Sequence, residues 1–319
     1  MRLFFVAAMA GATALAGTAE ARPLLLPLSL GADDYGESYS FIADLEDKTY
    51  VLLQLGISNV GPGAGHGICR GLVVSPTGAT WTDNKIVDSG EWGHQTGPGG
   101  ERLKVGPCTL TVGADGTVIT IPLDDSKVSL AFAQKPTVVR APGARIPIGK
   151  NQHIQEIWLG AAPVVATIAL EDVAPRTVKG IGYGDHAVSD ADPAKIATRW
   201  IRFRALRVEP PVLIHGREAP GGAQGPNWIR RGDAFETLAK VEATRTGKTK
   251  DTRFSVKAGD LSITSDAFVY RYAPIEDLGV VGNVLSPFVG SPVSYTLRAT
   301  LTDGDKKIPG LLEIELASE

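Results

Sequence analysis

The sequence predicts an all-β protein built as two antiparallel β-barrels in tandem, and three observations predict it. Short runs rich in Val, Ile, Thr, Tyr and Phe recur along the 319 residues, broken by Gly, Pro, Asp and Asn, while helical periodicity is scarce. Turn signals separate these runs at short spacing, which is the pattern of barrels rather than of βαβ units. The chain is also long for one core and comfortable for two. We place the first barrel at residues 22–177 and the second at 178–319.

Residues 1–21 read as an export signal. Arg2 is the short positive region, residues 3–16 are an apolar run, and Ala19-Glu20-Ala21 is the small-x-small site, with cleavage after Ala21. An uncleaved anchor is the other reading, for which the apolar run is short. No later stretch approaches the roughly 18 uninterrupted apolar residues of a membrane span. A periplasmic or secreted protein is expected.

In an exported chain, Cys69 and Cys108 are most simply a disulfide. Closing that loop stabilises by roughly 3 to 4 kcal/mol on the chain-entropy account. A metal site of Cys69, Cys108 and His66 is the sharper alternative, but the paired spacing of metal ligands is missing, and no metal is expected. A net charge of −3 argues against a nucleic-acid partner.

Taken in order, residues 36–43 (GESYSFIA) and 50–57 (YVLLQLGI) form a hairpin around Glu46-Asp47-Lys48. Strands follow at 67–75, 80–87, 101–112, 117–121 and 127–133, with a hairpin turn at Ala114-Asp115-Gly116. A Pro-rich loop spans 136–147, and the apolar run 156–170 closes the first unit. The second half has strands at 178–187, 199–208, 212–217, 253–256, 261–272, 293–301 and 308–316, with turns at Gly259 and Gly304. Residues 235–243 fit strand or helix. One short helix is expected at 192–197, with Asp192 as N-cap and Pro193 at its first position.

Residues 179–208 (KGIGYGDHAVSDADPAKIATRWIRFRALRV) hold the chemistry-bearing pattern. As a strand, this stretch puts Ile181, Tyr183 and Asp185 on one face, and Gly180, Gly182, Gly184 and His186 on the other. A face without side chains marks close approach of another backbone or a ligand. The next strand puts Trp200, Arg202 and Arg204 on one face, and antiparallel pairing of the two strands would set Asp185 against an arginine. His186 is an acid or base candidate. The bland alternative is a buried polar brace of Tyr183, Asp185 and Arg204 between the barrels. His66, in a Gly-rich turn, could line a barrel mouth. His94, His153 and His215 lie beside loops, where solvation is the plain reading. Trp81, Trp92, Trp158 and Trp228 read as core or barrel-mouth aromatics. There is no nucleophile elbow, Walker loop or zinc motif, and the Gly-x-Gly-x-Gly opens no βαβ helix, so no cofactor is expected.

Gly180-Ile-Gly-Tyr183-Gly-Asp185-His186, followed by Pro193 and Arg199-Trp200-Ile-Arg202-Phe-Arg204, resembles a signature of the superfamily of AttH-like, hydroxyneurosporene-synthase (carotenoid hydratase) and yeast survival-factor-like proteins. Residues 39–59 are similar to the first hairpin of the survival-factor branch. The resemblance implies two tandem lipocalin-like (calycin-type) antiparallel β-barrels packed side by side. It implies water addition or pericyclic chemistry in one branch and lipid carriage in the other. Hydratase-like members continue the motif as D-H-N-W-G, whereas this chain reads Asp185-His186-Ala187-Val188-Ser189, which favours the carrier branch.

Two functions follow. One is an exported carrier of a lipid, terpenoid or carotenoid, with ligand contacts from Tyr183, His186, Trp200, Arg202, Arg204 and His66 and an entry loop at 278–292. The alternative is a cofactor-free hydratase or cyclase on an apolar polyene or terpenoid, with Asp185 or His186 as the acid and base and Tyr183 orienting the charge.

Overall fold

The computed structural model of the chain describes residues 22–28, 31–59, 64–171, 173–273 and 292–318. The expected export signal, and the entry loop up to residue 291, lie outside the described residues.

A first antiparallel sheet takes strands β1 (Gly36–Leu45), β2 (Tyr50–Ser58), β3 (His66–Val74), β4 (Thr80–Val87), β5 (Trp92–Gly97), β6 (Gly100–Val105), β7 (Cys108–Gly113), β8 (Gly116–Leu123), β9 (Ser126–Phe132), β10 (Arg145–Ile148), β11 (Asn151–Leu170) and β12 (Val173–Ser189). After a single helical turn, α1 (Pro193–Ile196), the second sheet takes β13 (Arg199–Ala205), β14 (Val212–Glu218), β15 (Trp228–Arg231), β16 (Ala234–Thr237), β17 (Val241–Thr246), β18 (Arg253–Ala258), β19 (Leu261–Tyr272), β20 (Val293–Asp303) and β21 (Lys306–Leu316).

Both sheets curl by the same logic. The first strand of each run pairs with the last, β1 with β12 and β13 with β21, so the run bends back on itself. The outermost strands, β4 with β5 and β16 with β17, are sequence neighbours, so the break in each curl falls between them. The result is two antiparallel barrel-like sheets packed together, the all-β architecture the sequence predicts. Alternation puts Tyr39, Phe41, Leu53, Leu55 and Leu130 into the first core, and Phe203, Val256, Leu297 and Leu312 into the second. The Cys69–Cys108 disulfide ties β3 to β7 within the first core.

Several expectations need correcting. Strand β12 belongs to the first sheet, so the changeover lies in residues 190–198 rather than at 177/178. The motif strands also do not pair: β12 lies between β1 and β11, and β13 between β14 and β21. The reason is closure, because each sheet uses its own last strand to seal its first. Residues 101–112 break at Gly106, whose φ of 55° makes a turn. Residues 235–243 resolve into β16 and β17. The α1 turn forms as predicted, with Asp192 accepting from the Ala194 N–H.

The glycine stripe faces the first core, and it is filled. A Cβ on Gly182 would stand 2.6 Å from the Phe132 ring and 2.7 Å from the Ile42 carbonyl oxygen; one on Gly184 would stand 2.8 Å from the Phe41 ring. These glycines admit aromatic rings, not a ligand.

Candidate functional site

The register of β12 fixes two sites back to back. Tyr183 and Asp185 face the second sheet, where β13 presents Trp200, Arg202 and Arg204 while Ile201, Phe203 and Ala205 enter the second core. The expected meeting of Asp185 with an arginine therefore occurs across the junction rather than along a ladder. Arg204 lies 4.6 Å from the Tyr183 ring centroid, and its Nη2 is 3.9 Å from Asp185 Oδ2. Its Nη1 donates to Glu313 Oε2 at 2.8 Å. Arg202 Nη1 donates to Glu313 Oε1 at 3.0 Å and to Glu315 Oε2 at 3.1 Å.

Of these groups Tyr183, Arg202 and Arg204 border a cleft of about 30 Å³. A water needs roughly 10–15 Å³ on the same measure, so the enclosed part of the cleft takes in only a small portion of a ligand. Tyr183, Arg202, Arg204 and His215 form its polar wall, and Ile157, Leu213 and Trp228 part of its apolar wall. The His215 and Trp228 rings are parallel within 5° at 5.1 Å, and Trp200 packs 5.3 Å from His215.

Electrostatics divide these groups by role. Burial pushes the Asp185 carboxyl above its ordinary value, and Arg204 and Arg202 only partly oppose it. Burial and Asp185 likewise raise Tyr183, its hydrogen-bond neighbour, so both are biased toward their protonated forms. Burial would raise Glu313 too, but Arg204 and Arg202 outweigh it and hold the carboxyl down at about 2. Burial and the arginines push His215 well below its usual value and His153 down to about 4, so both imidazoles are neutral. What results is a carboxyl biased toward its neutral form beside an ionised, arginine-bound one, the pairing from which acid–base roles are built.

On its other face β12 places His186 in a separate cluster inside the first barrel. His186 Nε2 lies 2.7 Å from Glu37 Oε1 and Nδ1 3.4 Å from Glu156 Oε2. Glu37 also accepts from Tyr35, Tyr39 and the Leu28 N–H, and Glu156 from Arg140. Burial pushes His186 down, but hydrogen bonds to Glu156 and Glu37 outweigh it and raise the imidazole above its ordinary value. Buried and claimed on both nitrogens, His186 does not reach the cleft.

Of the residues singled out in the sequence, Tyr183, Asp185, Trp200, Arg202 and Arg204 come together at the junction. His66 does not; it begins β3 opposite Ser58. His153 and His215 are not solvated loop residues: His215 is 4% exposed, and the His153 ring lies 5.5 Å from that of Trp200. Trp228 belongs to the cleft wall. Glu313 and Glu315 escape a reading by motif, being distant in sequence. Their signal is closure, because β21 returning to β13 sets Arg202 opposite Glu313.

No family model matches the sequence, and no curated protein matches it. Solved structures match the fold over nearly the whole chain. An AttH-like protein from Nitrosomonas europaea has a TM-score of 0.63 at 13% identity, covering 92% of this chain and 97% of its own. The fold is that of the AttH-like double barrels. CghA matches with a TM-score of 0.60 at 13% identity, covering 91% of this chain and 93% of its own, and is also solved with Sch210972. Kievitone hydratase from Nectria haematococca matches at 0.56 and 10% identity, covering 89% and 88%. At these identities the likeness is one of fold. Among the described residues no helix is long and apolar enough to cross a membrane.

Proposed function

We propose that this chain is a cofactor-free enzyme of the hydratase or cyclase class, acting on an apolar unsaturated molecule at the junction cleft. The carrying observation is the Asp185–Tyr183 pair, a buried carboxyl kept toward its neutral form behind a phenol that borders the cleft. Tyr183 would deliver its proton to an alkene carbon while Asp185 passes its own to the phenolic oxygen. Water then adds to the adjacent carbon, and the proton it sheds returns to Asp185. The carboxylate formed in between is stabilised by Arg204, 3.9 Å away. In cyclisation the same donor polarises the substrate without the water step. That a hydratase shares this fold supports an enzyme over the carrier. The Cys69–Cys108 disulfide supports export.

The test is incubation with conjugated enones and polyenes in ¹⁸O-labelled water, read by mass spectrometry. We expect a labelled hydrate or an isomer of unchanged mass. Asp185→Asn should lower turnover by about 10²–10⁴-fold and leave affinity intact. Saturable binding with every substrate recovered unchanged would return the protein to the carrier class.

A further inference from the structure

One polar group in the cleft wall belongs neither to the Tyr183–Asp185 pair nor to the arginine–glutamate pairs. Cross-strand pairing sets Glu313, Arg202, His215 and Trp228 in one row over β21, β13, β14 and β15. Within that row Arg202 and Glu313 satisfy each other at 3.0 Å. His215 is held by rings instead, with Trp228 parallel within 5° at 5.1 Å and Trp200 at 5.3 Å. Of the two junction imidazoles, His153 has its Nδ1 sealed without a partner. His215, also without a hydrogen bond among the described residues, has neither nitrogen sealed, and it lines the cleft. Buried polar groups are almost always hydrogen-bonded. An imidazole only 4% exposed, unpartnered and open to a cleft therefore marks a place for a polar ligand atom or a water.

The space in front of it is small. About 30 Å³ admits roughly two waters, so a single water fits there beside a double bond of a larger molecule. Gln155 borders the same space, giving such a water a second polar neighbour. Tyr183 enters from β12 of the first sheet and His215 from β14 of the second. A double bond between them has the proton donor on one side and the imidazole on the other. Burial, then Arg202 and Arg204, push His215 well below its usual value, so it presents a lone pair rather than a second N–H.

We propose that His215 is the water-binding residue of the cleft, accepting a hydrogen bond from the water that adds to the double bond and taking the proton that this water sheds. The inference rests on the proposed hydratase reading and names the residue that handles its water. As the new C–O bond forms, one O–H bond of the water breaks and its proton moves to the imidazole. The imidazolium then gives that proton to the phenol–carboxylate pair, which regains what the alkene took. A weak base suffices, because water bonding to an electron-poor carbon is far more acidic than bulk water. Arg202 and Arg204 disfavour the imidazolium and so promote the return. Without the imidazole, carbon is still protonated, but the cation formed mainly loses a proton again, giving the alkene or its isomer.

The test incubates cis-chalcone and cis-benzylideneacetone, two conjugated enones, with the purified chain in ¹⁸O-labelled water. Chromatography and mass spectrometry read the labelled hydrate and the trans isomer. We expect labelled hydrate from the wild type. His215→Phe, which keeps a flat ring against Trp228, should lower the hydrate-to-isomer ratio by about 10²-fold. His215→Gln, whose amide oxygen accepts a hydrogen bond but takes up no proton, should recover about 10-fold of that loss. An unchanged ratio in a folded His215→Phe overturns the proposal, since a merely structural role moves both products together. So does a ratio in His215→Gln no better than that in His215→Phe. Isomer without hydrate from the wild type overturns the water site and leaves Tyr183 as a proton donor. Neither product from either probe overturns the reaction and the part of His215 in it together.

Discussion

At Asp185 burial and a neighbouring cation pull in opposite directions, and burial wins. The neutral form is the proton donor, so turnover should be full at low pH and fall as pH rises through the raised value. A kcat–pH profile locates that limb; a limb at the ordinary carboxylate pKa of about 3.9 would contradict the assignment. Stability carries the same sign. A carboxyl whose folded pKa is raised contributes stability that is present below its unfolded value and lost as pH rises through the folded one. Asp185→Asn keeps the neutral shape, so its Tm should match or exceed that of the wild type as pH rises past that point. A lower Tm throughout would make Asp185 an ionised brace. Tyr183, Asp185, Arg202 and Arg204 were legible in the sequence because alternation fixes which side chains share a face. Glu313 was not, because it joins the site through the β13–β21 pairing that only a closed sheet defines; His215 sits opposite Arg202 in the neighbouring β13–β14 hairpin, but its burial depends on the second sheet packing against the first.

Strand β12 does two jobs with its two faces, and the inner face is open to test. Gly182→Ala puts a methyl 2.6 Å from the Phe132 ring and 2.7 Å from a backbone oxygen. Overpacking of this kind costs about 1–3 kcal/mol by denaturant unfolding, and pairing it with Phe132→Leu should recover only part, since the ring can yield and the carbonyl cannot. The sequence announced the bare face but not its filling, since Phe132 arrives from β9, outside the motif. Further along, His186 joins β1 to β11 through Glu37 and Glu156. Its folded pKa lies above 6.5, so its contribution is complete below that value and is lost as pH rises through the folded pKa. Burial raises Glu37, but His186 and its other partners outweigh it and hold it below 4.5; the hydrogen bond to His186 leads in holding Glu156 down at about 2. Their contribution is lost as pH falls through those lowered values. The brace is therefore fullest between about pH 4.5 and 6.5. His186→Gln should cost about 3 kcal/mol there and flatten both limbs of a Tm–pH curve. A variant curve parallel to the wild type would remove His186 from the brace.

Across the whole molecule, two sheets that each close on themselves meet, besides the Arg204–Asp185 contact, in an apolar cluster and an ionic clasp at Asp44. Tyr183, Ile42 and Tyr50 of the first sheet pack with Leu206, Leu213 and Leu311 of the second. Beside them the Asp44 carboxylate takes Arg298 Nη1 at 2.6 Å on one oxygen and Arg207 Nε at 3.1 Å on the other. Arg207 also donates to the Asp44 carbonyl and Arg298 to that of Lys48, so both arginines hold the β1–β2 turn. Tandem barrels were legible from strand count and turn spacing; their seam was not, because Asp44 and Arg298 lie at opposite ends of the chain. The clasp is part-exposed and screened, so Asp44→Asn should cost only about 1–2 kcal/mol in total stability. Its larger effect is on cooperativity. With the clasp gone, the first core retains its disulfide and the second has none among the described residues, so the two should separate in thermal unfolding. Differential scanning calorimetry should resolve one transition in the wild type and two in Asp44→Asn. Reducing Cys69–Cys108 should then lower the later transition and bring the two together. A single transition in the variant, moved only by its small loss of stability, would assign the coupling to the remaining contacts of the junction rather than to the clasp.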